Sequence, residues 1–599
     1  MKPSRLCITA LLFACLLLFS SGNVYAMRGI ANAPPPGMEP RYGGTVRVAL
    51  YGDPSSLYPG TSTILQNHIP GGQMFQALTA NQLSGDVSPE LAQSWEISSD
   101  TKTYTFHLVR NATWHDGTKF TAADVKFTFE QILIPFHPSG TANFGNLESI
   151  ETPDDYTVVM KFKVPWAPLL ASTDLMFAAI APKHIYEGTD ILNNAANLKP
   201  IGTGPFMFKE YVKGDHITLV KNPNYWKKGQ PYLDQIIYKI IPDNAARHLA
   251  FENGEIDYIP MFHTTYFDAS RLQDSPEAFV SVGNIIQFCT RMVFLKMTDP
   301  LTGNAKVREA IAHAIDRAGI VSTTTFNMAE ITNTNFASKS WWYSNDAGNK
   351  FPKYDPALAE KLLDEAGYPR KANGKRFTVL FRAFTSQDGT KIAELVKDDL
   401  TKVGIDVNLQ ILEEVATLDL VFKQGDFQLA YCGCATTGPD PTLYGKWITA
   451  AGIRHIAYTN AMEYNNTKVN EAFALQSQTA DREARKEYLA TVQEEVVKDL
   501  PLIPLSVETA PQISNPQFYN LPAGPLGGRD RFDNVFWVKG TVPVVTTTTA
   551  PTSAETVTAT VTGPALIAGM EPGAFAALVL VIAIIIAAVG VYTGRKRPR

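Results

Sequence analysis

The stretch from Ser94 to Phe129, SWEISSDTKTYTFHLVRNATWHDGTKFTAADVKFTF, constrains the fold more than any other, because it sets a strand, a tight turn and a helix start in immediate succession. Tyr104, Phe106 and Leu108 alternate with Thr103, Thr105 and His107, the period-two pattern of a half-buried strand, and Ser99-Asp100 ahead of them is turn chemistry. His115-Asp116-Gly117 predicts a tight turn in which Gly117 is free to take positive φ. Thr121 and Asp124 have the spacing of an N-terminal capping box, so a helix is expected to begin there with Val125, Phe129, Ile132 and Leu133 on one side. The body is therefore of mixed α and β structure.

The two ends are of another kind. Lys2 and Arg5 precede an apolar run from Leu6 to Phe19, and Val24-Tyr25-Ala26 offers small residues at the spacing of a signal-peptidase site, so residues 1–26 read as a cleaved signal peptide. Cys15 lies inside the apolar run instead of at its end, which argues against a lipid-modified cysteine. Near the other terminus, Ala574 to Tyr592 carries no charge, and at about 1.5 Å per residue such a helix crosses a hydrocarbon layer of ~30 Å. Residues 572–593 are thus expected to form a membrane anchor, and Arg595-Lys596-Arg597 and Arg599 place its end in the cytoplasm. Residues 541–564, rich in Thr, Val, Ala and Pro, bury too little area to repay their ordering and read as an extended stalk. The expectation is a single-pass protein of the cell membrane whose body faces outward, an arrangement suited to a cell with one membrane, as in archaea.

At 599 residues the chain exceeds one compact core, so the body is expected to hold more than one domain. A net charge of -5 is mild, and nothing in the chain is basic enough to suggest a nucleic-acid surface. Cys289, Cys432 and Cys434 are the cysteines beyond the signal segment, an odd number that does not make a disulfide framework. Asp243 caps a helix between apolar segments, implying a strand, helix, strand crossover and parallel pairing. Val307, Ala310, Ile311, Ala314, Ile315 and Ala318 fall on one face of an amphipathic helix whose charged residues are expected to be solvated. Asp355-Pro356 starts another helix that stops at Gly367; strand 377–381, helix 392–402, strand 405–412, strand 427–431 and helix 481–498 follow.

Several strings along this body resemble the family 5 extracellular solute-binding proteins, the dipeptide, oligopeptide and nickel receptors of ABC importers. They are Leu91-Ala92-Gln93-Ser94-Trp95-Glu96, His115-Asp116-Gly117, Asp124-Val125-Lys126-Phe127, Ile201-Gly202-Thr203-Gly204-Pro205-Phe206, Lys221-Asn222-Pro223-Asn224-Tyr225-Trp226 and Val307 to Arg317. The resemblance implies an α/β, two-lobed fold of the periplasmic-binding-protein type (type II) with the extra subdomain of peptide-binding members. Lobe I then comprises 41–77, 199–287 and 503–538, its extra subdomain 78–198, and lobe II 288–502. A cleft between the lobes closes over a solute, and the closed monomer presents it to the permease and ATPase subunits of an importer.

In peptide-binding members, the loop matching Cys432 to Pro441 carries a Trp beside the peptide and an Asp that pairs with its α-ammonium. Aligned on Asp440-Pro441, those positions fall on Cys434 and Thr437, so neither residue is kept. Burial of an ammonium without a carboxylate costs several kcal/mol, which puts this mode of capture in doubt and leaves Asp440 as the nearby acid, with a turn or cap role beside Pro441 as its plainer reading. Trp341 and Trp342 offer flat rings suited to sugars as well as to loop packing, and Tyr51 ends the first strand of the lobe. Ligand contacts are therefore expected among Tyr51, Trp341, Trp342, Cys434, Thr437 and Asp440, with an oligopeptide or an oligosaccharide as cargo and a nickel or haem chelate as the alternative.

No cofactor and no resident metal are expected: Gly202-Thr203-Gly204 lacks the third glycine, lysine and following helix of a phosphate loop, and Cys432 and Cys434 lack partners for zinc. A surface-anchored hydrolase is opposed by the lack of a Gly-x-Ser-x-Gly elbow or a His-Glu-x-x-His motif, and an adhesion or surface-layer role rests on stalk and anchor alone. Asn111-Ala112-Thr113 and Asn465-Asn466-Thr467 are glycosylation sequons.

Overall fold

The computed structural model describes residues 30–35, 37–82, 85–284, 290–386, 388–435, 440–507, 509–522 and 531–538. The expected signal peptide, stalk and anchor lie outside the described residues; among the described residues, no helix is long and apolar enough to cross a membrane.

Strand β1 (Thr45–Leu50) lies at the centre of a seven-stranded sheet. Its alternation is complete: Val46, Val48 and Leu50 enter one apolar cluster and Ala49 another, on the opposite face. Past Tyr51 comes α1 (Leu65–Met74), in which every residue from Gln66 to Met74 is buried.

The chain then builds a separate four-stranded antiparallel sheet from β2 (Ala92–Ile97), β3 (Thr103–Leu108), β4 (Leu147–Asp154) and β5 (Thr157–Phe162), in the order β2-β3-β5-β4. Tyr104, Phe106 and Leu108 are buried as their spacing predicts, and β3 pairs with β5 from Thr103 opposite Lys161 to His107 opposite Thr157. Gly117 takes φ +89, and α2 (Ala122–Phe127) begins where the Asp124 carboxylate accepts the Thr121 N–H at 2.9 Å. The small sheet is tied to the large one by His115. Its Nδ1 accepts the Gly202 N–H at 3.1 Å, so the ring's proton sits on Nε2, which donates to the Gly204 carbonyl at 3.0 Å. Gly204 in turn donates to the Met74 carbonyl at 2.8 Å. The glycine pair is thus a tight turn, packed so closely that a Cβ on Gly202 would lie 1.8 Å from the Met74 oxygen.

The large sheet resumes with β6 (Phe206–Val212), β7 (His216–Lys221) and β8 (Gln235–Ile240), continues through α3 (Asn244–Glu252) to β9 (Tyr258–Ile259), and passes α4 (Tyr266–Leu272) to β10 (Phe279–Asn284). Asp243 caps α3, and β8 and β9 flank β1 on either side, both parallel to it, as the crossover pattern requires.

A second sheet of six strands begins at β11 (Thr290–Leu295). Helices α5 (Ala305–Ala314), α6 (Arg317–Thr325), α7 (Pro356–Glu365) and α8 (Gly389–Lys402) cover it around β12 (Thr378–Phe384), β13 (Asp406–Leu412), β14 (Leu429–Tyr431) and β15 (Cys434–Ala435). Helices α9 (Thr467–Ser477) and α10 (Arg482–Asp499) precede β16 (Leu502–Val507), and β17 (Thr509–Ser514) returns to the first sheet between β9 and β10.

Three expectations are corrected. The helix expected to carry Val307 to Ala318 without a break is two, because Asp316 turns the chain and caps α6 through the Gly319 N–H at 2.9 Å. Its charges are not all solvated: Arg308 is buried and donates to the carbonyls of Asp499, Thr302 and Gly303 at 2.7, 3.0 and 2.7 Å. The return to the first lobe does not begin at 503, since β16 pairs with β11 from Leu502 to Val507; it comes after Val507.

Candidate ligand cleft between the two sheets

Strand direction fixes where the lobes meet. In the first sheet β1, β8 and β9 are parallel, so their carboxyl ends share one edge; β17, antiparallel to β9, begins at that edge, and β10, antiparallel to β17, ends there. In the second sheet β12, β13 and β14 are parallel; β11 begins at their carboxyl edge and β16 ends there. Both crossings therefore join carboxyl edge to carboxyl edge, the position at which open α/β sheets take up ligands.

On the lobe I edge, Tyr51 is half-buried, its ring centred 4.5 Å from that of His263. The His263 Nδ1 donates to the Met261 carbonyl at 3.0 Å, and burial pushes the ring's pKa down to about 4, so it is neutral. The buried Arg247 guanidinium binds three carbonyls of this rim, His263 at 3.0 Å, Ile241 at 2.8 Å and Pro242 at 2.7 Å, and so couples the turn after β9 to the end of β8. On the lobe II edge, Arg291 pairs with Asp388 at 3.1 Å, and its guanidinium lies 5.8 Å from the ring centre of Tyr266 in lobe I. Glu413 accepts the Val415 N–H at 3.0 Å, and Glu414 accepts from the Tyr458 hydroxyl at 2.8 Å. The Cys432 thiol is free and buried, and burial raises its pKa.

The residues singled out from the sequence separate into groups. Tyr51 belongs to the lobe I rim. Asp440 caps the short turn Pro441–Tyr444, accepting the Thr442 N–H at 2.9 Å, and is buried against Arg485 at 2.6 Å. Gln476 also accepts from Arg485, at 2.9 Å, so the pair sits in a satisfied network at the junction of α9 and α10. Trp342 is 1% exposed within the lobe II core, whereas Trp341 is half-buried beneath the guanidiniums of Arg482 and Arg485, 4.8 and 5.5 Å from its ring centre. Cys434 pairs through its backbone opposite Arg291, its side chain lying outside the described residues, as does Thr437 entirely. Arg482 also forms an ion pair with Asp86, and Ala167 donates to the Ser477 carbonyl at 3.2 Å, so the segments that lead into and out of the small sheet touch α9 and α10.

Arg291, Asp388, Tyr266 and the rim around Arg247 were not singled out. Arg291 is a lone cation in the apolar run from Ile285 to Val293, a signal that was there to be read; Asp388 sits in an ordinary polar loop and gives none.

Two α/β lobes that face each other across their carboxyl edges, linked by two crossings, define a two-lobed solute-binding protein. Residues 86–453 match the family model described as bacterial extracellular solute-binding proteins, family 5 Middle. The chain belongs to that family. It is 33% identical over 417 residues, 65% of this chain and 74% of the relative, to a Brucella ovis protein named for peptide binding in an ABC transporter. It is 27% identical over 513 residues, 81% of this chain and 90% of the relative, to heme-binding protein A of Haemophilus influenzae. Among solved structures, the periplasmic binding protein DppA of Helicobacter pylori in complex with the peptide STSA matches with a TM-score of 0.66 and 26% identity, over 83% of this chain and 98% of that one. The fold is thus the two-lobed periplasmic-binding-protein fold.

Proposed function

We propose that this chain is the cargo-capturing receptor of an ABC importer, that it takes oligopeptides, and that residues 572–593 hold it in the cell membrane with its body outside. One observation carries the reading. The two crossings join the sheets carboxyl edge to carboxyl edge, and each edge presents fixed hydrogen-bonding groups and rings, in a fold whose Helicobacter pylori relative holds a peptide. Closure over the peptide excludes water and creates the surface offered to separate permease and ATPase chains. The sugar alternative draws little support, because Trp342 is a core residue and Trp341 is covered by two guanidiniums.

Asp440, being paired with Arg485, does not serve as the ammonium anchor in this reading, and Cys434 and Thr437 stand where that anchor lies in peptide-binding relatives. The peptide is held chiefly by backbone hydrogen bonds and by its side chains. Haem is the second reading, favoured by the match to heme-binding protein A over most of both chains. Calorimetry of the full-length chain against a tetrapeptide mixture, haemin and the nickel–histidine complex separates them. Peptides at a hundredfold their Kd are expected to add about 2.7 kcal/mol of stability. Binding of haemin or nickel alone overturns the peptide reading.

A further inference from the structure

Phe262 follows β9 at the carboxyl edge of lobe I, with its backbone at φ +63 and its side chain 46% exposed. Both features are unfavourable by themselves, since the left-handed region crowds a bulky L-residue and an exposed benzyl ring forgoes burial. The turn is not loose. Met261 and His263 on either side point inward, 2% and 1% exposed, and the Arg247 guanidinium holds the His263 carbonyl at 3.0 Å. His263 also lies against Tyr51 at 4.5 Å between ring centres. A strained, rigid turn that buries both neighbours and turns the aromatic one outward has the arrangement in which strain serves to present a group.

We propose that Phe262 determines cargo specificity: its ring is an apolar platform on lobe I against which a nonpolar or aromatic side chain of the bound peptide packs. This rests on the oligopeptide reading above. The rim offers the platform beside polar groups already committed to one another, so discrimination falls on the apolar contact, which a serine side chain cannot make.

The test is isothermal titration of the full-length chain with alanine tetrapeptides carrying Phe, Leu, Ser or Lys at each position in turn. The expected result is one position at which Phe or Leu binds about tenfold more tightly than Ser, the ratio given by burying on the order of 50 Å² of apolar surface. Phe262→Asn removes that preference and leaves the serine peptides within about twofold, because asparagine tolerates the left-handed backbone and keeps the turn folded. Phe262→Tyr restores it. A preference that survives Phe262→Asn, no preference in the wild-type chain, or an equal loss for all peptides overturns the assignment. Failure of every tetrapeptide to bind the wild-type chain overturns the oligopeptide reading, and this one with it.

Discussion

The Arg485 guanidinium donates to the Asp440 carboxylate across 2.6 Å, and both side chains are almost wholly withdrawn from water. Removing one partner of such a pair strands the other charge in the interior. Asp440→Asn is expected to cost about 3 kcal/mol in urea unfolding, with peptide affinity of the folded fraction unchanged within about twofold. The double variant Asp440→Leu with Arg485→Met recovers most of the loss. A fall in affinity without a fall in stability would put Asp440 in the cleft.

Gly202→Ala drives a methyl into the Met74 carbonyl, whose oxygen lies 1.8 Å and whose carbon lies 2.6 Å from the new Cβ. Backbone atoms on both sides leave nothing flexible to yield. A loss of about 3 kcal/mol or more is expected, read as a shifted urea midpoint with an unchanged slope.

Acidification is predicted to destabilise the body between pH 6.5 and 4. Burial holds His115, His137 and His263 at pKa values of about 4, against an ordinary value near 6.5. Within that window the unfolded chain binds more protons than the folded one. Stability therefore rises with pH from 4 to 6.5 and is lost on the way down, by on the order of 3 kcal/mol for a ring as deeply buried as His263 and by less for the half-buried His115. His115→Gln should remove its share of the slope in unfolding free energy against pH. An unchanged slope would mean that the His115 ring is solvated.

The ion pair between Arg482 and Asp86 is a different case, since both side chains are close to half exposed. Asp86→Asn, or raising salt from 0.05 to 0.5 M, is expected to change stability by under about 1 kcal/mol. A larger effect in a thermal scan would show that the segments flanking the small sheet depend on this contact to stay against α9 and α10.

Local chemistry was the legible part of the sequence. The turn at Gly117, the cap at Thr121 and Asp124, the caps at Asp243 and Asp355 and the alternation of β3 depend on residues within a few positions of one another, and the structure has them where the spacing puts them. Helix α1 was not legible. Pro70-Gly71-Gly72 reads as a turn, yet Gly71 is needed because a Cβ there would meet Pro59 at 2.7 Å and the Leu57 carbonyl at 2.9 Å. The second crossing was misplaced because β16 and β17 are buried along their whole lengths and the sequence that joins them, Ser506-Val507-Glu508-Thr509, holds no glycine or proline to mark the change of lobe. The commitment of Asp440 to Arg485 joins positions 45 residues apart, which no local pattern records.

The two crossings lie next to each other. Asn284 is opposite Thr509 on the first sheet and Thr290 is opposite Val507 on the second, so the strand ends that flank the two crossings are ladder neighbours at a spacing of ~4.8 Å. Four strand ends are thus tied in pairs within a narrow strip of the molecule, and any change in the angle between the lobes is levered from that strip: a few degrees of rotation there become several ångströms at the far rim.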